Sequence, residues 1–205
     1  MNNNVKQRIL LESMQLMFSH GIKVMTMDEL AKRIGVSKRT IYEHFEDKDT
    51  LLTAILQYHK KQNEARSKKI LENCPTVIHA FFYFLTNIES STFSKLISRY
   101  DEIKRYHPAV YQKVVCNSEN QETEKTKKLF ELGIKQGVFR KDLDVNITAP
   151  LFRTIFHQLW NSENELYEHH SFEKIFETLL QIFIRGCCTE KGLQVIDTLT
   201  IKGKR

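Results

Sequence analysis

Five side chains within seven residues, Lys38, Arg39, Thr40, Tyr42 and His44, form a dense group of hydrogen-bond donors with two fixed positive charges. Ammonium, guanidinium, hydroxyl and imidazole groups at such density can hold phosphate oxygens and donate to the acceptor edges of bases. They can act together only if one face presents them. At 100° per residue, Arg39, Thr40 and Glu43 turn away from an apolar stripe of Ile41 and Phe45, and Lys38, Tyr42 and His44 flank that stripe. A short αα-corner in an ordinary helical protein has the same pattern, so spacing alone leaves both readings open.

Other chemistry finds less support. The sequence has no Gly-rich phosphate loop, no G-x-S-x-G elbow and no H-E-x-x-H, so no enzyme is expected. His157, His169 and His170 lack a nearby acidic or cysteine partner at ligand spacing, which argues against a metal site, and no cofactor is implied. Cys74, Cys116, Cys187 and Cys188 show neither zinc-ligand spacing nor a disulfide pattern and read as reduced thiols, partly core. The adjacent pair Cys187 and Cys188 could join two subunits in a redox switch, although nothing nearby in sequence would lower a thiol pKa.

The elements needed to position the donor cluster are short helices. A first helix is expected over Val5–His20, with Ile9, Leu10, Met14, Leu16 and Met17 on one stripe and Gly21 as its stop. Thr26 and Glu29 have capping-box spacing, with Met25 and Leu30 placed as a hydrophobic staple, and the helix they start ends at Gly35. Ser37 can cap a further helix over Lys38–Phe45, and Asp47 can cap a fourth carrying Leu51, Leu52, Ile55 and Leu56. Ala31 at the crossing, Gly35 in the turn and Val36 beneath it complete a helix-turn-helix pattern.

The rest of the 205 residues supports an all-α chain, because only 7 glycines and 3 prolines are available to punctuate short strands. Helices are expected over 76–89, 93–106, 108–136, 145–161 and 171–187, with Pro108 and Pro150 near helix starts. Residues 1–70 hold 13 Lys/Arg against 8 Asp/Glu, whereas residues 71–205 hold 18 against 17, so the basic excess and a polyanion partner belong to the N-terminal end. No apolar run reaches membrane-spanning length, and the first residues lack the features of a secretory signal, so a cytoplasmic protein is expected.

The run from Thr26 to Leu52, and above all VSKRTIYEHFEDKDTLL, resembles the DNA-binding domain of TetR/AcrR-family transcriptional regulators, over about fifty residues from Ile9. The resemblance implies a three-helix DNA-binding domain over residues 3–63, followed by a larger helical ligand-binding and dimerisation domain over residues 64–205. It implies that Thr40, Tyr42 and Lys48 grip phosphates, that Ser37, Lys38, Arg39 and His44 read bases, and that Thr26 adds a phosphate contact at a helix start. Glu12 and Ser13 depart from the alanine pair usual in the family.

The larger domain resembles the family in outline, including the link Gly133 to Asp144 into its last long helices, which in the family form a dimer interface. Phe152, Phe156, Phe172, Phe176 and Phe183 are the interface candidates, with intramolecular core as the other reading. Phe81, Phe84, Tyr100, Phe130 and Trp160 could line an apolar small-molecule pocket or pack as plain core. The expected function is a ligand-responsive repressor that binds an inverted-repeat operator in double-stranded DNA as a homodimer, answers to an apolar effector and has no membrane partner. The alternatives are a DNA-binding architectural or protein-interaction regulator without a small-molecule ligand, and a helical enzyme or ligand carrier.

Overall fold

The computed structural model describes residues 2–87, 90–159 and 165–202, and among them the fold is all-α, with one isolated antiparallel bridge between Phe139 and Cys188. Helix α1 covers Asn2–His20, α2 Met27–Ile34, α3 Lys38–His44 and α4 Lys48–Asn73. They are followed by α5 Val77–Asn87, α6 Ser90–Tyr106, α7 Pro108–Val114, α8 Glu119–Lys135, α9 Val145–Gln158 and α10 Phe172–Leu179. A π turn over Leu180–Ile184 continues α10 into α11 Arg185–Cys187, and α12 covers Glu190–Lys202.

Two compact units divide the chain: Met1–Ala65 with Lys95–Ser118, and Arg66–Ser94 with Glu119–Arg205. The first unit is built on the amphipathic stripes expected of α1 to α4. Ile9, Met17, Leu30, Ile41, Phe45, Leu51, Leu52 and Ile55 are all buried in one cluster. Ile103 of α6 and Val110 of α7 belong to that same cluster, so residues far along the sequence complete the core that seats α2 and α3. Such short helices are marginal alone and depend on this packing.

The second unit is organised around phenylalanine. Phe130 of α8 is fully buried and stacks on Phe139 with ring centroids 5.3 Å apart, while Phe152 and Phe183 meet it edge-on at 5.9 and 6.4 Å. Gly133 makes the Phe139 position possible, since a Cβ there would lie 2.2 Å from the ring.

Three elements differ from the sequence expectation. The helix expected over 108–136 is broken by a 3₁₀ turn at Cys116–Ser118, a stretch that includes Asn117, a residue type of low helix propensity. Pro150 is the sixth residue of α9 and lies inside the helix, beyond the first turn where a missing N–H is harmless. Helix α12 was not anticipated: Thr189 ends the preceding segment, and its Oγ1 accepts from the Gly192 N–H at 3.2 Å while donating to the Gly137 carbonyl at 2.7 Å.

Candidate nucleic-acid interface

The turn between α2 and α3 is fixed by its caps. Thr26 Oγ1 accepts from the Glu29 N–H at 3.2 Å, half of the expected capping box. The other half is replaced, because the Thr26 N–H donates to the Val24 carbonyl at 2.8 Å and not to Glu29. Gly35 closes α2 in the left-handed region, φ 72° and ψ 38°, which a side chain would resist. The N–H groups of Gly35 and Val36 both donate to the Ala31 carbonyl, at 3.0 and 3.1 Å. Ser37 Oγ then accepts from the Thr40 N–H at 3.0 Å and caps α3, and Asp47 Oδ1 accepts from the Thr50 N–H at 2.6 Å at the start of α4.

The two faces of α3 have separate tasks. Ile41 at its middle and Phe45 at its C-cap are 0% and 2% exposed and anchor it, whereas Lys38, Arg39, Tyr42 and Glu43 are exposed to solvent. Thr26 is exposed at the start of α2, Thr40 and His44 are half-buried, and the Ser37 and Thr40 hydroxyls lie 2.8 Å apart. The sequence-derived donors from Ser37 to His44 therefore share one short helix and its cap. Its cations are not unpartnered: Lys38 Nζ lies 2.9 Å from Asp28 Oδ2, and Arg39 Nε lies 3.2 Å from Glu43 Oε1. The hydrogen bond that Lys38 donates to Asp28 raises the Lys38 pKa, so Lys38 stays charged.

Lys48 is held differently from the other donors. Its Nζ donates to the Ile22 carbonyl at 2.7 Å, and desolvation in this half-buried position lowers its pKa. The Ile22 N–H donates in turn to Glu102 Oε2 at 2.8 Å, with Arg99 paired to Glu102, so both sides of Ile22 are held by side chains. His107 Nδ1 lies 2.5 Å from Asp49 Oδ1 beside it. Sequence reading missed Glu102 and His107, whose partners Ile22 and Asp49 are 80 and 58 residues away and leave no local signal, and with them Arg99, which acts through Glu102. Glu12 and Ser13, the departures in α1, also become clear: Glu12 takes Arg33 at 3.1 Å, and Ser13 is fully buried with no partner for its hydroxyl.

The remaining predicted residues fall into several settings. Tyr100 packs on the core of the first unit, where burial pushes its phenol up to about 12. Phe81 and Phe130 both meet Phe152 in the second unit, Phe84 is half-buried there, and Trp160 lies outside the described residues. Of the interface candidates, Phe152, Phe172 and Phe176 are at most 7% exposed within the single chain, and the half-buried Phe156 and Phe183 pack against them, Phe156 stacked on Phe152 and Phe183 tilted to it. These five are thus largely internal. Among the apolar side chains that do face solvent are Ile147, Leu151 and Ile155, one line along α9 at i, i+4 and i+8, and Ile182.

Cys187 and Cys188 are buried, and desolvation raises both thiols to about 11. A folded-state pKa above the ordinary value of 9.0 means that their contribution to stability is complete below pH 9 and is lost as pH rises through about 11. The expected result is that both resist alkylation at about pH 8 until the chain is denatured. Rapid labelling of either in the native protein would restore the redox reading.

Residues 9–55 match the bacterial regulatory proteins of the tetR family. The chain is 28% identical over 102 residues to the uncharacterised HTH-type transcriptional regulator YvaF of Bacillus subtilis, covering 49% of this chain and 53% of that protein. It is 32% identical over 71 residues to YerO, another such regulator of Bacillus subtilis, covering 35% of this chain and 25% of the relative. The chain thus spans about a quarter to about half the length of these relatives. In fold it is similar to a transcriptional regulator of Cytophaga hutchinsonii, with TM-score 0.73, 18% identity, and coverage of 88% of this chain and 97% of that one. It is also similar to a transcriptional regulator of Saccharomonospora viridis solved in complex with choline, with TM-score 0.69, 16% identity, and coverage of 92% and 100%. The helices α2 and α3 and the capped turn between them lie within residues 9–55, the segment that matches the tetR family of bacterial regulatory proteins.

Proposed function

We propose that this chain is a transcriptional regulator that sets α3 in the major groove of double-stranded DNA, acts as a homodimer on an inverted repeat, and serves as a repressor released by an apolar small molecule. The observation that carries the reading is the division of α3 between the buried anchors Ile41 and Phe45 and the exposed Lys38, Arg39 and Tyr42. A recognition helix needs this division, because a fixed helix limits which base edges its donors can reach. The phenylalanine cluster of the second unit supplies an apolar core beside which an effector pocket can be built, and the choline complex of the Saccharomonospora viridis regulator supports small-molecule binding in this fold. An effector that binds better to a form with displaced recognition helices lowers DNA affinity by the same coupling free energy.

The test is titration of the protein with its own upstream intergenic DNA, with and without a library of hydrophobic compounds. Tyr42→Ala is expected to weaken binding to every duplex about equally, as loss of a backbone contact does. Arg39→Ala is expected to change the preference at one base pair by about 1 to 3 kcal/mol. Lys48→Ala is the less clean test of a phosphate contact, because it also frees the Ile22 carbonyl. Equal affinity of wild type and Tyr42→Ala for all duplexes would remove α3 from the interface.

A further inference from the structure

The exposed face of α3 carries its own countercharges. Lys38 and Arg39 are each matched by a carboxylate, Asp28 from α2 at 2.9 Å and Glu43 one turn along α3 at 3.2 Å, so the four charges sum to zero. The four side chains are between 49% and 89% exposed, and ion pairs this open contribute little to stability. Their effect falls on whatever this surface approaches.

For a duplex that effect is unfavourable by default. The major groove lies between two rows of phosphates, and a carboxylate entering it meets like charge on both sides. Only the amino groups of cytosine N4 and adenine N6 offer a carboxylate a donor there, and every other polar group of the base edges is an acceptor. Geometry adds a second consequence. Glu43 engages Arg39 through Nε, and the Nη1 and Nη2 groups, the pair that can donate to guanine O6 and N7 together, have no hydrogen-bond partner among the described residues. An i, i+4 partner on the same helix also restrains a side chain that is otherwise 89% exposed.

We infer that Asp28 and Glu43 are specificity-determining residues, which oppose binding to DNA of arbitrary sequence while Glu43 holds Arg39 with its Nη edge outward for a guanine. The inference rests on the DNA-binding reading and adds to it the source of discrimination. The cost of bringing each carboxylate into the groove applies to every sequence, and only a site that supplies the matching base contacts offsets it.

The experiment compares wild type, Asp28→Asn and Glu43→Gln on a randomised duplex pool and on the duplex that wild type most enriches from that pool, at two salt concentrations. Both substitutions are isosteric at exposed positions, so an unchanged helical signal and melting midpoint are expected. Each variant should bind the pool about three- to tenfold tighter, with the slope of log affinity against log salt steeper by about one. Affinity for the enriched duplex should rise less or fall, so that the ratio between the two duplexes shrinks by about tenfold for Glu43→Gln. In an Arg39→Ala background, Glu43→Gln should still tighten pool binding but no longer alter guanine preference, which separates positioning from charge. Unchanged pool affinity, or an equal gain on both duplexes, overturns the inference and leaves the DNA-binding reading standing. Failure of wild type to bind either duplex at low salt overturns that reading itself.

Discussion

Replacing Leu151 and Ile182 together by Glu is expected to give a helical chain of monomer mass whose affinity for a two-half-site duplex is lower by about 100-fold or more. Leu151 is 50% exposed and Ile182 73%, so neither needs its apolar surface to fold the single chain. Ile147 at 65% and Ile155 at 37% extend the same line of α9, giving a ridge of aliphatic side chains at helical spacing. A second copy of the chain covering that ridge would give a closed, twofold pair with two recognition helices for one inverted repeat. Two linked half-site contacts exceed one by about 10²- to 10⁴-fold without any new contact, and splitting the pair forfeits that factor. Analytical ultracentrifugation checks the mass, circular dichroism the fold, and DNA titration the affinity. Phe176→Glu is the contrasting variant: at 4% exposure its ring is internal, so a charge there should reduce helicity as well as mass. A wild type that sediments as a monomer at micromolar concentration, or a double variant that keeps dimer mass, would falsify the proposed interface.

The contrast between Phe176 and Ile182 shows where the sequence was legible and where it was not. In the first unit the signals are local. Thr26, Gly35, Ser37 and Asp47 act within three or four residues of themselves, and their hydrogen bonds lie where the cap rules put them. The stripes of α1, α3 and α4 bury the side chains that periodicity selects, including Ile9, Ile41 and Leu51. The reciprocal half of the capping box differed because the Val24 carbonyl already accepts from the Thr26 N–H. The link from Glu102 to Ile22 was illegible for a different reason, since an eighty-residue separation carries no periodicity and depends on tertiary packing alone.

In α9 and α10 the difficulty is a helix apolar on more than one side. Phe152, Phe172 and Phe176 satisfy the same periodic test as the aliphatic residues beside them, and periodicity cannot say which stripe meets the chain's own core and which meets solvent. Angular position about each helix decides it here. Phe81, Phe130, Phe152, Phe156, Phe176 and Phe183 run in successive contact on the inner side with the buried Leu180 and Ile184, and Leu151, Ile155 and Ile182 remain outside.

Phe130→Ala tests whether this cluster is solid core. The ring is 0% exposed and contacts three other rings, stacking on Phe139 and meeting Phe152 and Phe183 edge-on. Truncating a buried phenylalanine removes its transfer free energy and leaves a cavity, at a combined cost of about 3 to 5 kcal/mol. For a chain of this size each kcal/mol moves the melting midpoint by about 2 to 4 °C, so a fall of about 6 to 20 °C is expected. Phe81, half-buried and in contact with Phe152, should show a smaller loss on the same substitution. A cavity lined by rings stays dry and accepts a small apolar molecule, so benzene or indole should restore part of the midpoint in Phe130→Ala while shifting wild type less. If Phe130 instead lines a space kept open for an effector, its truncation would enlarge an existing pocket at little cost. A midpoint within about 1 °C of wild type, together with altered release of DNA by hydrophobic compounds, would place Phe130 in that pocket, whereas the larger fall places it in the core on which a pocket must be built.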